Sequence, residues 1–132
     1  MAKHIVLRDE GVPERLVVLR LGVNTLSDEA LAFTCATSHA ELGLYAFSVL
    51  ELPNGDWEEL ARARPELRRR PRVLEASGPD LLRSGFPLLP TSERLHWSVV
   101  LSEPTPEQFA HVRPHFHGPV DNPVWAGRQA LS

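Results

Sequence analysis

Twelve prolines in 132 residues set the first limit on this chain. Each locks φ near about −65° and removes a backbone donor, so a helix cannot pass through one without losing a bond and clashing with the preceding turn. Their spacing rules against long helices after residue 52 and favours short elements separated by turns.

Between these breaks the hydrophobic pattern alternates in type. "HIVL" (His4–Leu7) and "RLVVLRL" (Arg15–Leu21) read as β-segments joined by a polar turn. Ser27 followed by Asp28 and Glu29 predicts a helix start, because a serine oxygen caps free amides and the helix dipole favours acids in the first turn. That helix is expected to run to about Glu41, with Leu31, Cys35 and Leu42 on one face and Gly43 as its left-handed cap. "LYAFSVLEL" (Leu44–Leu52) reads as a central strand, apolar on both faces.

Further along, Asp56 and Glu59 have capping-box spacing for a helix from Trp57 that Pro65 must end or kink. "RVLEA" (Arg72–Ala76) predicts a short strand, and "SGPDLLRSG" a short helix with Pro79 at its first position. "LHWSVVL" (Leu95–Leu101) predicts a strand with Leu95, Trp97, Val99 and Leu101 on one face and His96, Ser98 and Val100 on the other. Thr105, Pro106 and Gln108 predict a last helix from Pro106.

The resulting order, roughly ββαβαβαβα, points to a single α/β or α+β domain. The expectation is a mixed sheet of about four to five strands layered with about three to four helices. Residues 1–118 are expected to form the domain, and 119–132, rich in proline and glycine, an irregular C-terminal tail.

Size and composition agree with one ordinary core. A chain of this length buries roughly two-thirds of its unfolded surface, and hydrophobic residues make up 42% of it. The formal charge of −3 supplies no global field toward nucleic acid or an anionic membrane. The N-terminus has no apolar stretch before charges, and no run approaches the ~18 apolar residues of a membrane helix, so neither a secretory leader nor membrane association is expected. A single cysteine, Cys35, cannot form an intramolecular disulfide, which fits the cytoplasm. With Cys35 in mid-helix, four residues before His39, a packed core thiol is expected rather than a nucleophile.

"HVRPHFHG" (His111–Gly118) holds three of the six histidines. His111 and His115 have the i, i+4 spacing of zinc-binding helices, but Pro114 falls between them and no third ligand follows at a fixed distance. A helix end with exposed histidines near its carbonyls is therefore expected, with no metal and no cofactor. No nucleophile elbow, phosphate loop or dinucleotide glycine pattern occurs.

Thirteen of the fourteen basic residues are arginine. Six of them, Arg62, Arg64, Arg68, Arg69, Arg70 and Arg72, fall within "RARPELRRRPR". Guanidinium forks match carboxylates and phosphates, so this run is a candidate binding surface, for a protein partner first and for RNA or other nucleic acid second. Trp125 is a second candidate anchor, expected to fold back on the domain rather than project. The leading functional expectation is a small cytoplasmic macromolecule-binding protein without enzymatic activity, such as one member of a bacterial toxin–antitoxin or immunity-like pair. The alternative is an RNA-directed enzyme, a metal-independent ribonuclease or phosphotransferase. In it His96, His111 and His115 would shuttle protons while arginines hold phosphate. That alternative requires the three histidines and the arginine run to meet in one cleft.

Overall fold

The structure, a computed structural model, describes residues 7–127. Six strands form one sheet: β1 (Val17–Arg20), β2 (Tyr45–Glu51), β3 (Arg72–Ser77), β4 (Leu88–Leu89), β5 (His96–Leu101) and β6 (His117–Asp121), in the spatial order β4-β5-β2-β1-β3-β6. Four helices accompany it: α1 (Asp28–Leu42), α2 (Trp57–Ala63), α3 (Gly78–Arg83) and α4 (Pro106–Val112). This is an α+β domain. Every strand pairing in the sheet is antiparallel. The sheet is thus antiparallel rather than mixed, and it has one strand more than the four to five expected.

The helix starts follow the sequence chemistry. Ser27 Oγ accepts from Ala30 N–H, Asp56 Oδ1 from Glu59 N–H, Ser77 Oγ from Asp80 N–H and Thr105 Oγ1 from Gln108 N–H. Gly43, at φ 77°, closes α1 through its N–H to the His39 carbonyl. The prolines stop helices where expected. Pro65 ends α2 and begins a short 3-10 turn (Pro65–Arg69), and α4 passes at Val112 into another (Arg113–His115) that contains Pro114.

Two expected segments differ. Residues 4–6 of the first predicted strand lie outside the described residues; Leu7 makes one isolated bridge to Thr91. The irregular tail expected from residue 119 begins later, because β6 runs through Gly118 and Pro119 to Asp121 and pairs with β3. Proline is tolerated there because β6 is an edge strand, which needs only half its amides.

Each face of the sheet carries its own core. On the first, Val18, Phe47, Val49, Leu74, Ala76, Trp97, Val99 and Leu101 pack with Leu31 and Cys35 of α1, Leu81 of α3, and Phe109 and Val112 of α4. On the second, Leu19, Leu50 and Val73 pack with Leu60 and Ala61 of α2, Leu67 of the 3-10 turn, and Val124. Leu95 joins this second core instead of the face of Trp97. Its φ of 73° places it outside the strand alternation, one residue before β5 begins.

The second core covers only part of its face. β1 stops at Arg20, opposite Val49 in the continuing register, so the first half of β2 has β5 on one side and no strand on the other. There Ala46, Ser48, Ser98 and His96 share the second face. Ser48 is exposed although it sits in the middle of a central strand.

Candidate binding cleft

The uncovered part of the second face is concave. A hollow of about 420 Å³ is bordered by Phe33, Thr37 and Glu41 of α1, floored by Ala46, Ser48 and Ser98, and closed by Thr91, Ser92 and His96. A second hollow of about 310 Å³ is lined by Arg20, Thr25, Leu50, Arg64, Glu66 and Arg70. Ser48 and His96 line both, so the two form one groove with an apolar end and a cationic end. α1 can serve both layers because its Leu31 and Cys35 side buries the first core while the adjacent side borders the groove.

His96 sits at the centre. Its Nδ1 lies 3.0 Å from the Thr91 carbonyl and 3.0 Å from Thr91 Oγ1. A carbonyl only accepts, so this contact puts the proton on Nδ1 and leaves Nε2 as an acceptor. Burial pushes the His96 pKa below its ordinary value. The Thr91 backbone bond and Glu93 oppose the shift, and the Arg64 and Arg8 charges add to it. Thr91 Oγ1 is in turn 2.7 Å from Ser98 Oγ, and both hydroxyls are buried.

Arg8 holds the loop that supplies Thr91 and Glu93. Its Nη1 donates to the carbonyls of Thr91, Glu93 and His96, and its guanidinium lies 5.3 Å from the Trp97 ring. The loop contains two left-handed residues, Ser92 and Leu95. Three donations from one guanidinium fix a backbone that non-glycine residues rarely adopt.

The cationic end is unevenly compensated. Arg20 donates through Nε to Thr25 Oγ1 at 2.9 Å and through Nη1 to the Ser48 carbonyl at 2.6 Å, and rests over Phe47. Burial lowers its pKa. Among the described residues no carboxylate forms an ion pair with it. Arg64 is 20% exposed, and its Nη2 is buried without a hydrogen-bond partner among the described residues. The nearest carboxylate, Glu93, is 3.7 Å away and 80% exposed.

The expected site residues are divided by the fold. Arg64 and Arg70 face the groove. Arg68 turns back to Glu58 at 2.7 Å, while Arg62, Arg69 and Arg72 are exposed. The run is therefore not presented as one patch, because a 3-10 turn points successive side chains in different directions. His111 is exposed on α4 and His115 sets its ring edge against Phe86 at 5.9 Å, both on the first-face side of the sheet. His96 is on the second face. The three histidines do not meet in one cleft; their common helical or strand spacing carried no information about which side of the sheet each element covers. Among the described residues, no three of His, Cys, Asp and Glu converge as a metal-holding group.

Trp125 is half-buried. Val124 and Asn122 beside it are buried, so among the described residues the docking expected of the tail is made chiefly by these neighbours; residues 128–132 lie outside the described residues. Cys35 is buried in the first core, where burial raises its pKa. Arg8, Arg20, Phe33, Ser48 and Thr91 have no motif in the sequence. The His96–Ser98 alternation and two residues of the arginine run, Arg64 and Arg70, were the sequence features that pointed at the groove. No protein-family model matches the chain, and no curated protein or solved structure matches it.

Proposed function

We propose that this chain is a small macromolecule-binding protein without enzymatic activity, and that it engages a protein partner through the groove on the second sheet face. The observation that carries this reading is the groove's composition. The Phe33 side chain, 75% exposed, stands at one end, and the arginines Arg20, Arg64 and Arg70 stand at the other. Exposed aromatics and arginines are the side chains that anchor protein interfaces, because they bury much area and make directed bonds.

The polar groups of the groove favour binding over chemistry. The two hydroxyls beside His96 are buried and tied to each other, and the one that reaches the ring, Thr91 Oγ1, meets Nδ1 rather than the accepting Nε2. A hydrolytic or phosphoryl-transfer role needs a nucleophile or substrate oxygen at a free basic nitrogen, with a second acid–base group opposite. His111 and His115 lie on the other side of the sheet and cannot supply it. A cytoplasmic location is part of the proposal, on the single buried thiol. So is membership of a bacterial toxin–antitoxin or immunity-like pair, which rests on size alone. Among the described residues no helix is long and apolar enough to cross a membrane.

Affinity capture from the native host with three baits tests the reading: the wild type, Phe33→Asp in the groove, and His111→Asp on the opposite side. A protein captured by the wild type and His111→Asp but lost with Phe33→Asp is the expected result. Capture of RNA, sensitive to ribonuclease and indifferent to Phe33, would sink it.

A further inference from the structure

Two guanidinium groups in the groove lack the compensation that burial normally demands. Removing a charge from water is costly unless an opposite charge and hydrogen bonds replace the lost solvation. Arg20 has one hydroxyl and one carbonyl as acceptors and no ion pair among the described residues. Arg64 has Glu93 only, beyond hydrogen-bond distance and largely in water, and its buried Nη2 bonds nothing among the described residues. Both line the same hollow, with Ser48 and His96 between the two ends.

We propose that this hollow is a seat for a carboxylate, held by the Arg64 guanidinium within the groove, by Arg20, which meets the open edge of β2 from the Phe47 side, and by Arg70 at the rim. That the carboxylate belongs to an Asp or Glu side chain of a protein partner rests on the function proposed above; the seat itself does not.

The surroundings select the anion. A planar carboxylate matches a planar guanidinium fork through two parallel bonds. Glu66 lines the hollow and repels a dianion more than a monoanion. The hollow is lined by the flanks of strands and turns, without a glycine-rich loop or helix N-terminus to cradle a tetrahedral phosphate.

Acetate is the probe, titrated into the full chain against chloride at equal ionic strength, with inorganic phosphate as a second arm. Side-chain NMR of the arginine Nε–H groups and the His96 ring reads the result. Saturable shifts at Arg64 and Arg20, with a His96 midpoint that rises as acetate fills the seat, are expected. Arg64→Gln should weaken acetate roughly tenfold or more, the loss of a bidentate charge-assisted contact. Arg64→Lys, which keeps the charge, should also weaken it by removing the fork, and serves if the glutamine variant does not fold. Wild-type resonances that move no more with acetate than with chloride overturn the proposal, as do shifts unaltered in both variants. Saturation by phosphate and not by acetate also overturns it and replaces the carboxylate with a phosphate. Acetate binding with no captured partner would leave the seat standing and remove the protein-partner reading. A Phe33-dependent partner without acetate binding would do the reverse.

Discussion

His96 shows how one side chain can tie the groove to the stability of the molecule. Its folded-state pKa lies below the ordinary imidazole value because burial disfavours the charged ring. The unfolded chain therefore takes up the proton first as the solution is acidified, and the folded state loses stability as pH falls through the ordinary histidine range, until the folded ring also titrates. Thermal unfolding followed from about pH 7.5 to about pH 5 should show a falling midpoint in the wild type and a flatter profile in His96→Gln, since histidine titrates in this interval. Glutamine can still donate to the Thr91 carbonyl without titrating. An unchanged slope in the variant would mean that His96 is not the source of the pH dependence.

The segment from α2 to β3 carries six of the thirteen arginines, yet its place in the fold rests on a different contact. Asn122 Nδ2 donates to the carbonyls of Leu67 at 2.7 Å and Arg70 at 2.8 Å, and Oδ1 accepts from Val124 N–H at 2.9 Å. One buried amide thus clamps the arginine segment and residues 122–124 together. Asn122→Ala should lower the stability of the fold by roughly 2 kcal/mol, because it removes the bonds of the Arg70 carbonyl and the Val124 amide, while the Leu67 carbonyl keeps its bond from the Arg70 N–H. Chemical denaturation with an unchanged slope would measure this, and a loss below about 0.5 kcal/mol would show that water replaces the side chain. Replacing Arg68, Arg69 and Arg70 together by alanine should cost under about 1 kcal/mol. Only Arg68 has an ion pair among the described residues, and that pair is open to solvent. The same triple variant should lose part of its acetate affinity through Arg70 alone.

For the whole molecule, the antiparallel sheet with a core on each face sets a gradient of stability from centre to edge. β1 and the second half of β2 have strands on both sides and apolar contacts above and below, whereas β4 is two residues long and β6 is exposed over most of its length. Amide hydrogen exchange should be slowest at Val18, Leu19, Val49 and Leu50 and much faster along β6. If β6 exchanges as slowly as β1, the chain unfolds as a single unit and its edge is not a weak point.

Much of the secondary structure was written locally. Ser27, Asp56, Ser77 and Thr105 cap helices by bonding amides three residues on, and prolines end α2 and α4, so the relevant contacts lie within one or two turns of chain. The alternation of His96 and Ser98 likewise belongs to strand geometry and placed both on one face. The groove has no such local origin. It exists because β1 stops at Arg20 while β2 continues, because α1 borders the gap, and because Arg8 pins a loop that lies more than eighty residues away, with partner separations of 83, 85 and 88 positions. The division of the arginine run between groove, ion pair and solvent, and the placing of His111 and His115 across the sheet from His96, were decided in the same way. Each depends on which face an element covers, and that choice is made by burial of distant apolar residues against one another, which no short stretch of sequence records.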